Sequence, residues 1–563
     1  MTTLEGPPLA EADAVGALTL GGFLSQVCSR FDGEALVFDD PLSEGKTFRW
    51  DYRRLEAEAR RVARAVIAAG VGKGGRVGIL MGNRPEAVAS VFGAALAGAV
   101  AVPLSTFSSR PELGYLLRHA DIQLALVQRR MRGHDYLDDL LALCPELGRA
   151  APGTPARTTA FPYLESAAVV GLENSSGAVS TWADFLAGGW EVEKDVLDGR
   201  AAEVHPSDPG VIIYSSGTTD RPKGMLHSHR AVTLQFWLQA AVFGRSPDTR
   251  LWTALPMFWT AGLNTAMGPT LAAGGCWVMQ ESFEPGPAIA LMERERVTEP
   301  YTLPHQTAAL EEDPAWASAD LSALRCVFGK SAFARHPSVK GDPGWNSPVA
   351  YGLSETASVF AAHGWDTPRE RMRESIGRLL PGNRLRVVDP DSGARLGPGQ
   401  DGELTVSGPT LMEHYVKRTR EECLDAEGFF HTGDAGFYDD EGYVHWTGRR
   451  TEMIKTAGAN VSPAELEVAL RAFAPLKLAR VIGVPDHRLG QVVVLAAVVK
   501  EGAVTSAGEV QAFLRERVSA YKVPKAVLFF EDGEIPMTGS DTKVKDAELL
   551  KLVRDRMSRE EAK

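Results

Sequence analysis

Tyr214-Ser-Ser-Gly-Thr-Thr-Asp-Arg-Pro-Lys-Gly224 is the stretch on which the reading of the fold turns, and the strand-like run Gly210-Val-Ile-Ile-Tyr214 feeds directly into it. Small residues let backbone N–H groups close around phosphate oxygens. Ser215, Ser216, Thr218 and Thr219 add hydroxyl donors around Gly217, and Lys223 adds a cation. In a Walker A loop the lysine follows the last glycine and a Ser or Thr comes next. Here Lys223 precedes Gly224, so this is a phosphate-holding loop of another kind.

On the N-terminal side of the loop, strands alternate with helices. Apolar spacing predicts a helix over residues 54–69 and another over 85–97, with buried strands over 76–81, 99–103 and 124–127. That alternation predicts layered, mostly parallel sheet. Residues 148–189, rich in Pro, Ser, Thr, Ala and Gly, read as a loop-rich connection. On the C-terminal side, residues 385–393 and 402–408 read as two strands around a turn. Beyond residue 451 the segments are short: helices over 463–473 and 507–518, strands near 479–484, 492–499 and 526–529. The predicted fold is α/β: a large N-terminal domain, 1–450, of layered mostly parallel sheets and helices plus a β-rich subdomain. A small mobile α+β C-terminal domain, 451–563, follows.

The chain has 563 residues, 44% hydrophobic and 23% charged, with a net charge of -12. That balance argues against a nucleic-acid-binding surface. Five scattered cysteines without a C-x-x-C pair suggest neither a zinc site nor a disulfide framework. No secretory pattern opens the chain and no apolar run is long enough to span a bilayer, so a cytoplasmic protein is expected.

Further motifs follow in a fixed order: Ala254-Leu-Pro-Met-Phe-Trp-Thr-Ala-Gly-Leu263, Arg325-Cys-Val-Phe-Gly-Lys-Ser-Ala-Phe333, Tyr351-Gly-Leu-Ser-Glu-Thr356, Thr432-Gly-Asp-Ala-Gly436 and Thr447-Gly-Arg449. Met453-Ile-Lys-Thr-Ala-Gly-Ala-Asn460 and Ile535-Pro-Met-Thr-Gly-Ser-Asp-Thr-Lys543 complete the set. In kind and order these resemble the adenylate-forming superfamily, in its acyl-CoA ligase form, over nearly the whole chain. The resemblance implies ATP/AMP, coenzyme A and Mg²⁺ as cofactors, and a carboxylic acid or acyl-adenylate as the small-molecule partner. It implies nucleotide contacts from Ser215, Ser216, Gly217, Thr218, Thr219, Lys223, Gly329, Tyr351, Gly352, Asp434 and Arg449. Tyr351 would stack on adenine, Asp434 would accept from both ribose hydroxyls, and Thr219 and Glu355 would hold the metal. Phe258, Trp259, Gly262, Gly329 and Gly352 would border the acid, and Gly458 would pass the pantetheine arm. Lys543 would be the catalytic cation of adenylation, and Thr451 the hinge of a rotating C-terminal domain. Phe236 and Trp237, with Phe258 and Trp259, favour an apolar, bulky or aromatic acid.

Several positions depart from the superfamily pattern. Trp259 stands where many acyl-CoA ligases have His, and Lys330 is unusual in its loop. Asp220 replaces a Gly in the phosphate loop; at roughly 5 Å and an effective dielectric near 20 it would repel one phosphate charge by about 3 kcal/mol. Thr542 replaces the Gly before Lys543, and one extra residue there displaces the amine by up to ~3 Å. The last two departures bear on adenylation alone. The expectation is an acyl-CoA ligase whose adenylation half is weakened or absent, fed in the extreme case by a separate adenylating enzyme. Two other readings stay open: a stand-alone domain loading a carrier protein, and a non-catalytic adenylate binder.

Overall fold

The protein is described by a computed structural model at residues 3–215, 221–327, 331–340, 349–449, 453–531, 533–536, 544 and 546–561. Two parallel-rich sheets form its body. One runs, edge to edge, through Val179–Thr181, Ser166–Val170, Leu124–Gln128, Arg76–Leu80, Val100–Pro103, Pro209–Ser215, Lys223–Ser228 and His414–Tyr415. Its strands are parallel as far as Pro209–Ser215, and the last two turn back antiparallel. The other contains Glu299–Pro300, Arg250–Thr253, Cys276–Met279 and Glu34–Asp40 in parallel, with Lys46–Asp51 antiparallel at its edge.

Between them lie helices that are apolar on nearly every side. All residues of Pro85–Leu96 except Glu86 are buried, and Gly93 lets its backbone rest on Val62 of the helix Tyr52–Ala68. A helix buried all round carries no amphipathic signal, and this explains one reversal. Phe236 and Trp237, on the buried helix His229–Val242, sit in the apolar core. They meet Phe23 edge-on at 5.0 and 4.9 Å, and the Trp237 indole N–H donates to the Ala17 carbonyl. The stretch 148–189 also differs from expectation: it contains Ser166–Val170 and, at the sheet edge, Val179–Thr181, two parallel strands too short to stand out among Gly and Ser.

An antiparallel sheet follows, ordered Leu4–Glu5, Arg384–Val388, Gly402–Ser407, Phe430–Tyr438, Val444–Arg449. The C-terminal residues build a separate sheet from Ala459–Val461, Ile454–Thr456, Gly490–Val499, Leu476–Asp486 and Ala526–Phe530, with helices and apolar cores of their own. The architecture is thus α/β, a large N-terminal part and a small α+β C-terminal part. Among the described residues no helix is long and apolar enough to cross a membrane.

The two parts are joined through a buried charge. Lys522, 2% exposed, donates to Glu112 Oε1 at 2.8 Å and to Glu465 Oε1 at 2.7 Å. Ser519 donates to the other Glu112 oxygen, which also accepts from the Ser109 N–H and so caps the helix Arg110–His119. Burial acts to lower the Lys522 ammonium, but Tyr521, Glu465 and Glu112 outweigh it and hold it above its usual value.

Breaking a buried pair by removing one partner costs about 3–5 kcal/mol. Lys522→Met is expected to lose that much in urea unfolding, and to expose the C-terminal part to protease first. A second expectation concerns pH. Burial holds His119, His227 and His229 each near 4, whereas unfolded histidine titrates near 6.5. The unfolded chain therefore binds protons first, and stability falls as pH drops from about 6.5 toward 4. Thermal midpoints measured across that window should decline steadily.

Candidate functional site

A cavity of about 920 Å³ opens where the sheets meet the C-terminal part. Ser215 and Lys223 enter it as register partners on two antiparallel strands, so the phosphate loop joins a pair of adjacent strands instead of starting a helix. The loop's Ser216, Gly217, Thr218, Thr219 and Asp220 lie outside the described residues, as do Gly329, Lys330, Thr451 and Lys543. Arg449 ends its strand opposite Asp434 in register; its side chain also falls outside the description.

Lys223 holds its ammonium 5.1 Å above the Tyr415 ring, and the Tyr415 hydroxyl donates to Glu355 Oε1 at 2.8 Å. Tyr415 arrives from a strand nearly 200 positions away and has no local sequence signal. It places the loop's cation and the carboxylate on one aromatic. Among the described residues no group of three or more His, Cys, Asp or Glu could hold a metal. Glu355, the lining carboxylate joined to Lys223 through Tyr415, fits the sparse protein oxygens that Mg²⁺ takes when phosphate supplies the rest.

Tyr351 and Asp434 meet directly: the phenol donates to Asp434 Oδ2 at 2.8 Å, and Asp434 is 4% exposed. Gly352 is a position of close approach, where a Cβ would lie 1.7 Å from the Ser358 carbonyl oxygen. The turn between them and Ser358 is strained. Ala357 and Ser358 have φ of 57° and 137°, costly for residues with a Cβ. Three buried amides fix it: Gln235 donates to the Thr356 and Val359 carbonyls at 2.8 and 2.7 Å, Asn264 donates to the Ala357 carbonyl, and Gln239 ties Gln235 to the Asn264 carbonyl. Asn264 belongs to the π-helix Ala261–Met267, which also contains Gly262.

Phe258 and Trp259 pack on Phe107 with ring centres 5.2 and 5.9 Å away, and Phe107 reaches Tyr521 at 6.2 Å. They therefore form an aromatic junction between the two parts, next to Thr260 and Ala261, which line the cavity. From the C-terminal part, Met453, Lys455 and Asn460 line the cavity as well. Gly458, at φ 79°, rests against Leu303, where a Cβ would lie 2.5 Å from a methyl carbon.

This body, cavity and C-terminal closure define an adenylate-forming enzyme. The chain belongs to the AMP-binding enzyme family, whose model matches residues 25–416, and the AMP-binding enzyme C-terminal domain matches residues 465–542. It is similar to an indoleacetate–CoA ligase of Aromatoleum aromaticum, 33% identical over 491 residues, covering 86% of this chain and 90% of the relative. A feruloyl-CoA synthase of an Amycolatopsis species is 31% identical over 499 residues, 87% and 91% of the two chains. Among solved structures, the amide bond synthetase McbA from Marinactinospora thermotolerans matches at a TM-score of 0.74 and 25% identity, over 94% of this chain and 99% of that one. ATP-bound MatB from Rhodopseudomonas palustris matches at 0.62 and 26%, over 96% and 99%. The protein is an AMP-forming acid–thiol ligase.

Gln235→Leu would strand two buried carbonyls at the Ala357–Ser358 turn, at about 1–3 kcal/mol each. The expected outcome is a loss of several kcal/mol in chemical denaturation, with Gln235→Glu at least as destabilising, because its carboxylate keeps the bond from Gln239 but sets an acceptor against the Thr356 and Val359 carbonyls.

Proposed function

We propose that the protein joins a carboxylic acid to coenzyme A through an acyl-adenylate, in two steps at one cavity. The observation that carries this reading is that Lys223, Glu355 and Asp434 line the same space as Lys455 and Asn460 from the C-terminal part. In the first step an acid oxygen attacks the α-phosphorus of ATP and pyrophosphate leaves. In the second, the CoA sulfur attacks the acyl carbonyl, its proton passes to solvent, and AMP leaves.

Ser215, Ser216, Gly217, Thr218, Thr219 and Lys223 hold phosphate oxygens in this reading. Asp434 accepts from the ribose hydroxyls, Tyr351 lies against adenine, and Arg449 donates to ribose or phosphate. A magnesium ion held by Glu355 and Thr219 would offset the charge that builds on phosphate. The chain divides at 450/451, and turning about Thr451 presents Lys543 in the first step and the Gly458 loop in the second. Adenylation is the weaker half, because Asp220 and the long approach to Lys543 disturb that step alone. Relatives named for indoleacetate and feruloyl thioesters make aromatic acids the first substrates to try.

Purified enzyme would be given aryl, arylalkyl and long-chain acids with ATP, Mg²⁺ and CoA, and in parallel the matching synthetic acyl-adenylates with CoA. Mass spectrometry would score acyl-AMP and acyl-CoA. Acyl-CoA from the adenylates, with slower formation from acid plus ATP, is the expected result. Equal rates from both inputs would overturn the weakened adenylation. Thioester from adenylate only would point to a separate adenylating enzyme, and none from either would sink the ligase reading. Asp434→Asn should cost about 1.5–3 kcal/mol of nucleotide binding, a ten- to hundredfold rise in the KM for ATP.

A further inference from the structure

The cavity wall carries a second polar set besides Lys223, Glu355 and Asp434. Arg245, its side chain 1% exposed, is committed to the protein. Its Nε donates to Glu299 Oε2 at 2.9 Å and its Nη2 to Oε1 at 2.6 Å, while Nη1 donates to the Thr265 carbonyl. Its guanidinium carbon sits 5.1 Å from the Phe243 ring centre. A forked guanidinium spent on one carboxylate in this way has no face left for a second.

Glu299 is differently placed. Its side chain is 12% exposed, it lines the cavity, and each of its oxygens takes one bond from Arg245. A carboxylate oxygen accepts more than one hydrogen bond, so both retain acceptor capacity. Beside it stand Tyr301 and Cys326, whose phenol and thiol burial keeps protonated. Thr265 and Ser358 share a hydroxyl contact at 2.7 Å. The set is neutral overall, one cation against one anion, among the apolar Phe243 and Val359.

We propose that Glu299, fixed by Arg245, selects carboxylic acids whose far end carries a hydrogen-bond donor, a phenolic hydroxyl or a ring N–H, over dicarboxylates and wholly aliphatic acids. This deepens the ligase reading and rests on it for the identity of the acid. A donor at the far end completes the Glu299 oxygens. An ether or a hydrogen there leaves a desolvated carboxylate short of a partner, and a second carboxylate meets Glu299 as a like charge.

The test compares kcat/KM for one arylpropenoic skeleton with hydroxyl, methoxy, hydrogen or carboxylate at the para position. Calorimetry on the matching non-hydrolysable acyl-sulfamoyl adenosines asks the same question without turnover. The hydroxy compound should lead the methoxy and unsubstituted ones at least tenfold, and the dicarboxylate at least a hundredfold, in both measurements. In Glu299→Gln the lead should shrink to within threefold. Because that change leaves Arg245 poorly paired, the double variant Arg245→Met with Glu299→Met provides a second check, since replacing a buried pair by apolar groups of similar volume is often tolerated. It should prefer the unsubstituted acid. A wild-type enzyme that treats hydroxy, methoxy and unsubstituted compounds alike, or a double variant that keeps the hydroxy preference, would overturn the proposal. Tighter binding of the hydroxy analogue without any thioester formation would leave the proposal standing and remove the ligase reading instead.

Discussion

The strained turn at Ala357 and Ser358 is the constraint on which the site depends. Two non-glycine residues in succession at positive φ are held only because something stronger over-determines them. Here it is a ladder of buried amides, Gln235, Gln239 and Asn264, each fully buried and bonded to main-chain oxygens. The turn gives the chain two directions at once. Glu355 just before it faces the Lys223 cation across Tyr415, and Ser358 just after it meets Thr265 on the wall near Glu299. A relaxed extended path would separate those positions along one strand face. The backbone strain is thus the reason that Glu355 and the Thr265–Ser358 contact share one cavity wall.

The second constraint acts between the two parts. Lys522 is surrounded by two carboxylates and is nearly inaccessible, so the attraction is felt in a low dielectric and the desolvation cost is large. Such a contact is poor at adding stability and good at choosing one arrangement over its neighbours. Because Glu112 also caps its own helix through Ser109, the C-terminal part is registered against a rigid helix terminus. With that register set, Gly458 lands on Leu303, and Lys455 and Asn460 reach the cavity. A hydrophobic interface of similar area would tolerate many small offsets; a single ammonium between two carboxylates favours one arrangement of the two parts.

The elements of the body were legible where local pattern and burial agree. Helix Tyr52–Ala68 has a polar side and an apolar side, and the expected range of 54–69 matches it closely. Strands such as Arg76–Leu80 and Leu124–Gln128 are short apolar runs between turn residues, as parallel strands are. Legibility fails where burial is complete. Helix His229–Val242 presents Phe236 and Trp237 without a solvent-facing side to orient them, and sequence alone left core and pocket wall both open for them. Strands at 166–170 and 179–181 were hidden by the Gly, Ser and Pro around them.

The site divides along the same physical line. Short motifs picked out Lys223, Tyr351, Glu355 and Asp434, which line the cavity, because phosphate loops and turns are local backbone devices that leave a local signature. Tyr415, Glu299 and Arg245 left none. Their roles arise from pairings between distant strands: Tyr415 reaches the site through register with Met225, and Glu299 lies on a strand that pairs with Arg250–Thr253 just beyond Arg245. A charge such as Glu299 reads in sequence as one more solvated side chain. Only the fold reveals that it lines the cavity and that both its oxygens are bonded to Arg245. The local devices therefore specify the chemistry common to the family, whereas the non-local pairing specifies what distinguishes one acid from another. Selectivity can change by one substitution at Glu299 while every motif stays intact, which is why the motifs define the reaction and are silent about the substrate.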